Sequence, residues 1–201
     1  MKTLRGKKVT MPHPYIVYGV GRCGTSFTGG TLHNRLGISM GEYFIPPIAG
    51  FTDNGSYECG KLFEITAEFS RGETSLVEFH GKLSDYILKR EAENDLWGFK
   101  DMGSIMSFGY FTFFEDPRLI ICTRDERLVV ESQKRMRKYR GHTNDDENTR
   151  FINQRMTFDR RIRKRINPDH YLLIDFPERR FVEEDEIVEM VKKRWPDDFK
   201  S

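Results

Sequence analysis

Tyr15-Ile16-Val17-Tyr18-Gly19-Val20-Gly21-Arg22-Cys23-Gly24-Thr25-Ser26-Phe27 passes from an apolar run through a turn with three glycines into a helical pattern that continues to Leu36. The order of strand, glycine-rich turn and helix says more than the glycines alone. Such a turn presents successive backbone N–H groups to an anion, and the following helix adds its positive N-terminal dipole. Gly19, Gly21 and Gly24 permit the tight path. Thr25 and Ser26 supply hydroxyls, and Arg22 supplies a forked cation suited to phosphate or sulfate. Against the pattern G-x-x-x-x-G-K-[ST], Gly19 and Gly24 fit, but Thr25 stands where the lysine belongs and Ser26 follows it. The loop is therefore read as an anion-binding loop without the lysine that reaches a terminal phosphoryl group. The plain alternative is a helix N-terminus with ordinary turn glycines.

Working outward, short apolar runs at Tyr15–Val20, Ser75–Phe79, Leu96–Lys100, Leu119–Thr123 and Tyr171–Phe176 are predicted strands. Continuous apolar runs suit strands covered on both faces. Helical patterns lie between them at Thr25–Leu36, Lys82–Glu93 and Arg127–Tyr139. Phe151, Phe158, Ile162 and Ile166 share one face of a further long helix, and Ile187, Val188, Val191 and Trp195 share one near the C-terminus. Alternation of strand and helix predicts an α/β domain: a parallel sheet of the nucleotide-kinase type, flanked by helices in three layers. Residues 1–201 are read as one domain, with residues 1–13 a flexible N-terminus and the polar stretch 143–148 a mobile loop. The segment Ile45–Cys59, with adjacent prolines and two glycines, is read as an irregular excursion.

The charge balance narrows the function. Lys and Arg total 33 against 31 Asp and Glu, a formal net charge of +2. That argues against a dedicated nucleic-acid coat or polyanion binder. The distribution is uneven, with fourteen bases against seven acids between Arg124 and Arg165, and nine acids against five bases between Asp175 and Asp198. Cys23, Cys59 and Cys122 are odd in number and widely spaced, so neither a zinc site nor a disulfide framework is expected. No apolar run is long enough to span a bilayer. The expectation is a cytoplasmic protein without a bound metal.

Gly21-Arg22-Cys23-Gly24-Thr25-Ser26-Phe27 resembles the 5′-phosphosulfate loop of sulfotransferases that use 3′-phosphoadenosine 5′-phosphosulfate (PAPS). It is closest to the Arg-Ser-Gly-Thr-Ser/Thr loops of tyrosylprotein and bacterial members, with Cys23 in place of serine. A second element agrees. Leu119–Thr123 ends in Arg124, and Ser132 lies eight residues further on. The family binds the donor's 3′-phosphate with an arginine and a serine at this spacing. A fork onto phosphate oxygens plus a hydroxyl is sensible chemistry. A third element, Trp97-Gly98-Phe99-Lys100-Asp101, resembles the family's Lys-Asp-Pro segment, with Met102 in place of proline. Lys100 then matches a lysine near the transferring group, and Asp101 would orient the acceptor or pair with Lys100. The glycine-rich C-terminal nucleotide segment of cytosolic members is not visible.

The resemblance implies a sulfotransferase, with PAPS as donor, 3′-phosphoadenosine 5′-phosphate (PAP) as product and a small-molecule or glycan hydroxyl as acceptor. The loop residues Arg22, Cys23, Gly24, Thr25, Ser26 and Phe27 would hold the 5′-phosphosulfate, and Arg124 and Ser132 the 3′-phosphate. Glu42, 20 residues after Arg22, is the first candidate for the base that takes the acceptor proton. His80 is the second, with a reference pKa better suited to neutral pH. His33 is read as a packing or surface histidine. Ile45–Cys59 and Phe108–Phe114 are candidates for the acceptor pocket. Two rivals remain open: a P-loop kinase for a small molecule or nucleotide, and a non-catalytic protein that binds a phosphorylated nucleotide.

Overall fold

The computed structural model describes residues 13–46, 56–101, 114, 117–164, 166–177 and 182–200. Four strands form one parallel sheet in the order β2-β1-β3-β4: β1 is Tyr15–Tyr18, β2 Gly98–Asp101, β3 Arg118–Arg124 and β4 Tyr171–Phe176. Six α-helices are described: α1 Thr25–Leu36, α2 Gly60–Ser70, α3 Leu76–Glu93, α4 Glu126–Tyr139, α5 Asp145–Arg163 and α6 Glu184–Arg194. Short 3₁₀ turns at Pro168–His170 and Pro196–Phe199 complete the order.

Side chains of the two central strands alternate between two cores, as the pleat requires. Tyr15 and Val17 of β1, with Ile120 and Cys122 of β3, pack against Leu32 of α1, Val129 of α4, Ile152 and Met156 of α5, and Ile187 and Val191 of α6. Ile16 and Tyr18, with Leu119 and Ile121, face Leu62 and Ile65 of α2 and Phe79, Leu83 and Ile87 of α3. Burial on both faces explains why β1 and β3 read as unbroken apolar runs. The expected three-layer α/β/α architecture is the one observed.

Several elements differ from the sequence expectation. Ser75–Phe79 is not a strand. Ser75 caps α3: its hydroxyl accepts from the Glu78 N–H at 3.2 Å, and the Glu78 carboxylate accepts from the Ser75 N–H at 2.8 Å. This reciprocal capping box satisfies two N–H groups at the helix start. The strand beginning at Tyr15 stops at Tyr18, and the one expected from Leu96 begins at Gly98. The stretch 143–148 is not a loop throughout, because α5 begins at Asp145 and the Asn144 side chain accepts from the N–H groups of Asp146 and Glu147. The buried stripe of α5 is also rotated. Ile152, Met156, Asn148 and Asp159 are buried, while Phe151 and Phe158 are exposed. Residues 1–12, 47–55 and 108–113 lie outside the described residues, and with them nearly all of the expected flexible N-terminus and most of both candidate acceptor segments.

Candidate functional site

The loop joining β1 to α1 sits at the carboxyl end of the sheet, and its backbone is unusual at two points. Arg22 takes a left-handed conformation at φ 81°, rare for a residue with a side chain. Gly24, at φ 96°, shares that region, and any Cβ there would lie 2.3 Å from the Phe176 ring. Glycine is therefore required at this position. The Cys23 N–H returns to the Val20 carbonyl at 3.2 Å, closing the turn. α1 starts at Thr25 with no side-chain cap and no acid in its first turn. The Thr25 N–H bonds the Cys23 thiol, and an uncapped helix start of this kind suits an anion.

Two neighbouring elements bring side chains to this loop. Ser132 lies on α4, the helix leaving the end of β3, and its Oγ accepts from Arg22 Nε at 3.0 Å. The next residue along α4, Gln133, donates its amide to the Gly21 carbonyl at 3.0 Å. The Arg22 guanidinium is half-buried, and burial lowers its pKa, as do the positive charges of Arg124 and Arg135. Arg124 and Arg135 thus add two positive charges beside Arg22 at one edge of the loop. Like charges gathered against a glycine turn at a helix N-terminus suit a polyanionic ligand. Arg135 was missed by the sequence reading. Its signal was available, since it follows Ser132 by three residues and shares that helical face.

From the other side comes Lys100. Its β2 position is paired with Val17 of β1, next to the loop. The ammonium donates to Ser26 Oγ at 2.9 Å and to the Ser56 carbonyl at 2.6 Å, and pairs with Glu58 Oε1 at 3.1 Å. Burial lowers the Lys100 pKa, and Glu58 acts in the opposite direction. The side chain is 2% exposed against 23% for Glu58. An amine therefore reaches the loop from β2, at the helix turn where Thr25 gives none. Glu58 carried no sequence signal, because its partner is 42 residues away.

The remaining sequence candidates take varied places. Thr25 is buried, and Phe27 packs edge-on against Phe176 with ring centroids 6.3 Å apart. Cys23 is buried against Gly19, and burial pushes its thiol well above the usual range, so it is no thiolate. Glu42 pairs with Lys89 of α3 at 2.7 Å, not with Lys100. His80 lies on α3, not after a strand, with its ring edge-on to Phe79. His33 Nδ1 lies 3.3 Å from the Ile38 carbonyl, and its ring contacts Phe44 and Tyr57, as a packing histidine would. Asp101 ends β2, opposite Tyr18. Met102 lies outside the described residues. Among the described residues no group of three potential metal ligands occurs, and no helix is long and apolar enough to cross a membrane.

No family model and no curated protein matches the chain. Solved structures do. A "putative kinase" from Chloroflexus aurantiacus J-10-fl superposes with a TM-score of 0.50 at 15% identity, over 92% of this chain and 99% of that one. The sulfotransferase domain of the Synechococcus PCC 7002 olefin synthase gives a TM-score of 0.49 at 15% identity, over 98% of this chain and 75% of that one. Likeness at this identity is likeness of fold. The chain has a P-loop-like α/β fold.

Proposed function

We propose that this chain is a sulfotransferase that moves a sulfuryl group from PAPS to a hydroxyl acceptor. The observation that carries the reading is the 3.0 Å bond from Arg22 to Ser132. It joins the two motifs that resemble the 5′-phosphosulfate and 3′-phosphate elements of that family, although they lie 110 residues apart. The uncapped start of α1, the three arginines and the buried Lys100 ammonium all fit a donor with anionic groups at both ends.

The donor supplies the sulfuryl group. The chain's own residues bind and orient it. The Gly21–Phe27 N–H groups and Arg22 hold the 5′ end, with the Ser26 hydroxyl beside them. Arg124, Ser132 and Arg135 hold the 3′-phosphate. Lys100 balances charge on the transferring group, as fixed cations do where charge develops. The acceptor proton goes to Glu42, which must first part from Lys89, or else to His80. The acceptor is a small molecule or glycan bearing a hydroxyl. The three cysteines are unpaired and buried, which suits the reducing cytoplasm.

The test is titration calorimetry with PAP, AMP and ATP on the wild type and Arg124→Ala. Selective binding of PAP, lost in the variant, is expected, followed by sulfate transfer in an acceptor screen. A preference for ATP with magnesium would replace this reading by a kinase. Selective PAP binding without transfer to any acceptor would replace it by a nucleotide-binding protein.

A further inference from the structure

Strand register delivers Lys100 to the loop, but register does not keep its amine charged. An ammonium withdrawn from water is held only where a counter-ion and hydrogen-bond acceptors replace the solvent. Ser26 Oγ and the Ser56 carbonyl, at 2.9 and 2.6 Å, are neutral acceptors. The negative charge comes from Glu58, whose Oε1 is 3.1 Å from Nζ. The thiols of Cys23, from the loop, and Cys122, from β3, also act on this amine. Burial raises both, Cys122 to about 12, so neither contributes a negative charge near neutral pH. Glu58 is placed by the chain around it: the Ile45 N–H donates to its carbonyl at 3.0 Å, and the adjacent Cys59 bridges to Phe44.

We propose that Glu58 is a positioning residue that keeps Lys100 charged and aimed at Ser26, giving the glycine loop the ammonium that Thr25 does not supply. The carboxylate lies at the rim, more open than the amine it holds. An anion arriving at the loop takes the N–H now given to Ser26 Oγ while the pair with Glu58 stays intact. Glu58 acts through Lys100 and needs no contact with the ligand. The inference rests on the reading of this loop as the donor site.

The experiment uses the full chain and PAP as the probe. Calorimetric titrations are run between pH 7 and pH 9 on the wild type, Glu58→Gln and the double variant Glu58→Gln/Lys100→Arg, with circular dichroism to confirm folding. Without its counter-ion the buried amine gives up its proton as pH rises. Glu58→Gln is therefore expected to lose roughly tenfold in affinity between pH 7 and pH 9, while the wild type changes little. The double variant is expected to lose that pH dependence, because a guanidinium stays charged. The Lys100 signal in lysine-¹³C NMR reads the same ionisation with no nucleotide present. If Glu58→Gln does not fold, Glu58→Ser takes its place with the same expectation. Identical Lys100 titrations in the wild type and the carboxylate variant overturn the proposal. Absence of PAP binding to the wild type at every pH overturns the sulfotransferase reading instead, and the NMR titration still decides the role of Glu58.

Discussion

The two ends of the sheet treat charge in opposite ways. At the amino end, Tyr15 and Arg118 open β1 and β3 side by side and share one acceptor, Asp198, from the C-terminal 3₁₀ turn. Tyr15 donates to Asp198 at 2.6 Å, and Arg118 makes two bonds of 3.1 Å to its carboxylate. Cation, phenol and carboxylate satisfy one another. At the carboxyl end, Arg22, Arg124 and Arg135 gather at one edge of the loop, and Lys100 approaches from the other side with one carboxylate, Glu58. Compensated charge ties the chain terminus to the sheet. Like positive charges gathered in one place lower stability, and such a cluster is tolerated where a ligand supplies negative charge. The comparison separates residues kept for the fold from residues kept for binding.

The largest expected effect tests the binding end. Arg22→Ala should lower sulfate transfer by about 10²-fold or more, the scale for removing one preorganised charge donor. Thermal stability should hold, because one member of a like-charged group is removed while the left-handed backbone still carries a Cβ and its strain is unchanged. Steady-state transfer rates and a melting curve on the same preparation check both halves. A variant with full activity would take Arg22 out of the mechanism, and a large drop in melting temperature would move it to the fold-keeping class.

Arg118→Met should show the reverse pattern. The fork to Asp198 is lost and a shielded carboxylate keeps only the Tyr15 bond, at a cost of about 2 kcal/mol for charge-assisted hydrogen bonds. PAP affinity should not change. Urea unfolding and calorimetry measure the two.

The same contact sets an acid dependence. Burial alone would raise the Asp198 pKa, but the bonds from Arg118 and Tyr15 and the guanidinium charge outweigh it, so the carboxyl lies below its ordinary value. A depressed carboxyl pKa favours the fold fully above the unfolded value of about 3.9, and that contribution is lost as pH falls through the folded pKa. Wild type should therefore lose its stability advantage over Arg118→Met between about pH 5 and pH 2, and keep it from pH 5 to pH 7. Urea midpoints of both proteins at pH 7, 5 and 3 check this. An advantage that grew as pH fell would contradict the pairing.

Much of this contrast was legible in the sequence, and what was not has physical causes. β4 coincides with the apolar run Tyr171–Phe176, and α1 with the pattern Thr25–Leu36. The bounds agree, although β4 buries only Ile174 and Phe176 and leaves Leu173 exposed. The stripe of α5 was misjudged because periodicity weighs aromatic residues as buried. Phe151 lies under the guanidiniums of Arg137 and Arg155, at 4.2 and 5.6 Å from its ring centroid, and stays at the surface. The buried stripe instead includes Asn148, bonded to Arg137 and the His142 carbonyl, and Asp159, paired with Arg163 at 2.6 Å. Hydropathy discounts such residues, and only their partners make them core. Glu58 was invisible for the same reason. The motifs around Arg22, Arg124 and Ser132 could be read because each is local, but the pairing of Lys100 with Glu58 exists only in the folded chain.

The smallest expected effect comes from a region outside both ends. Ser75 was read as the start of a strand because Leu76, Val77 and Phe79 are apolar, but Val77 is 82% exposed and Phe79 fully buried, the mark of one helix face. Ser75→Ala removes the hydroxyl that caps the Glu78 N–H and should cost about 1 kcal/mol. PAP affinity should stay the same, since α3 adds no side chain to the cationic cluster. The Ser75 N–H keeps its bond to Glu78, which limits the loss. Ser75→Gly should cost less than Ser75→Ala, because glycine tolerates the cap conformation and leaves the backbone open to water. Equal losses in the two variants would mean that the hydroxyl contributes packing rather than a cap. A change in PAP affinity in either would show that helix stability is coupled to the loop, and the separation between fold-keeping and ligand-binding residues would then fail at its simplest control.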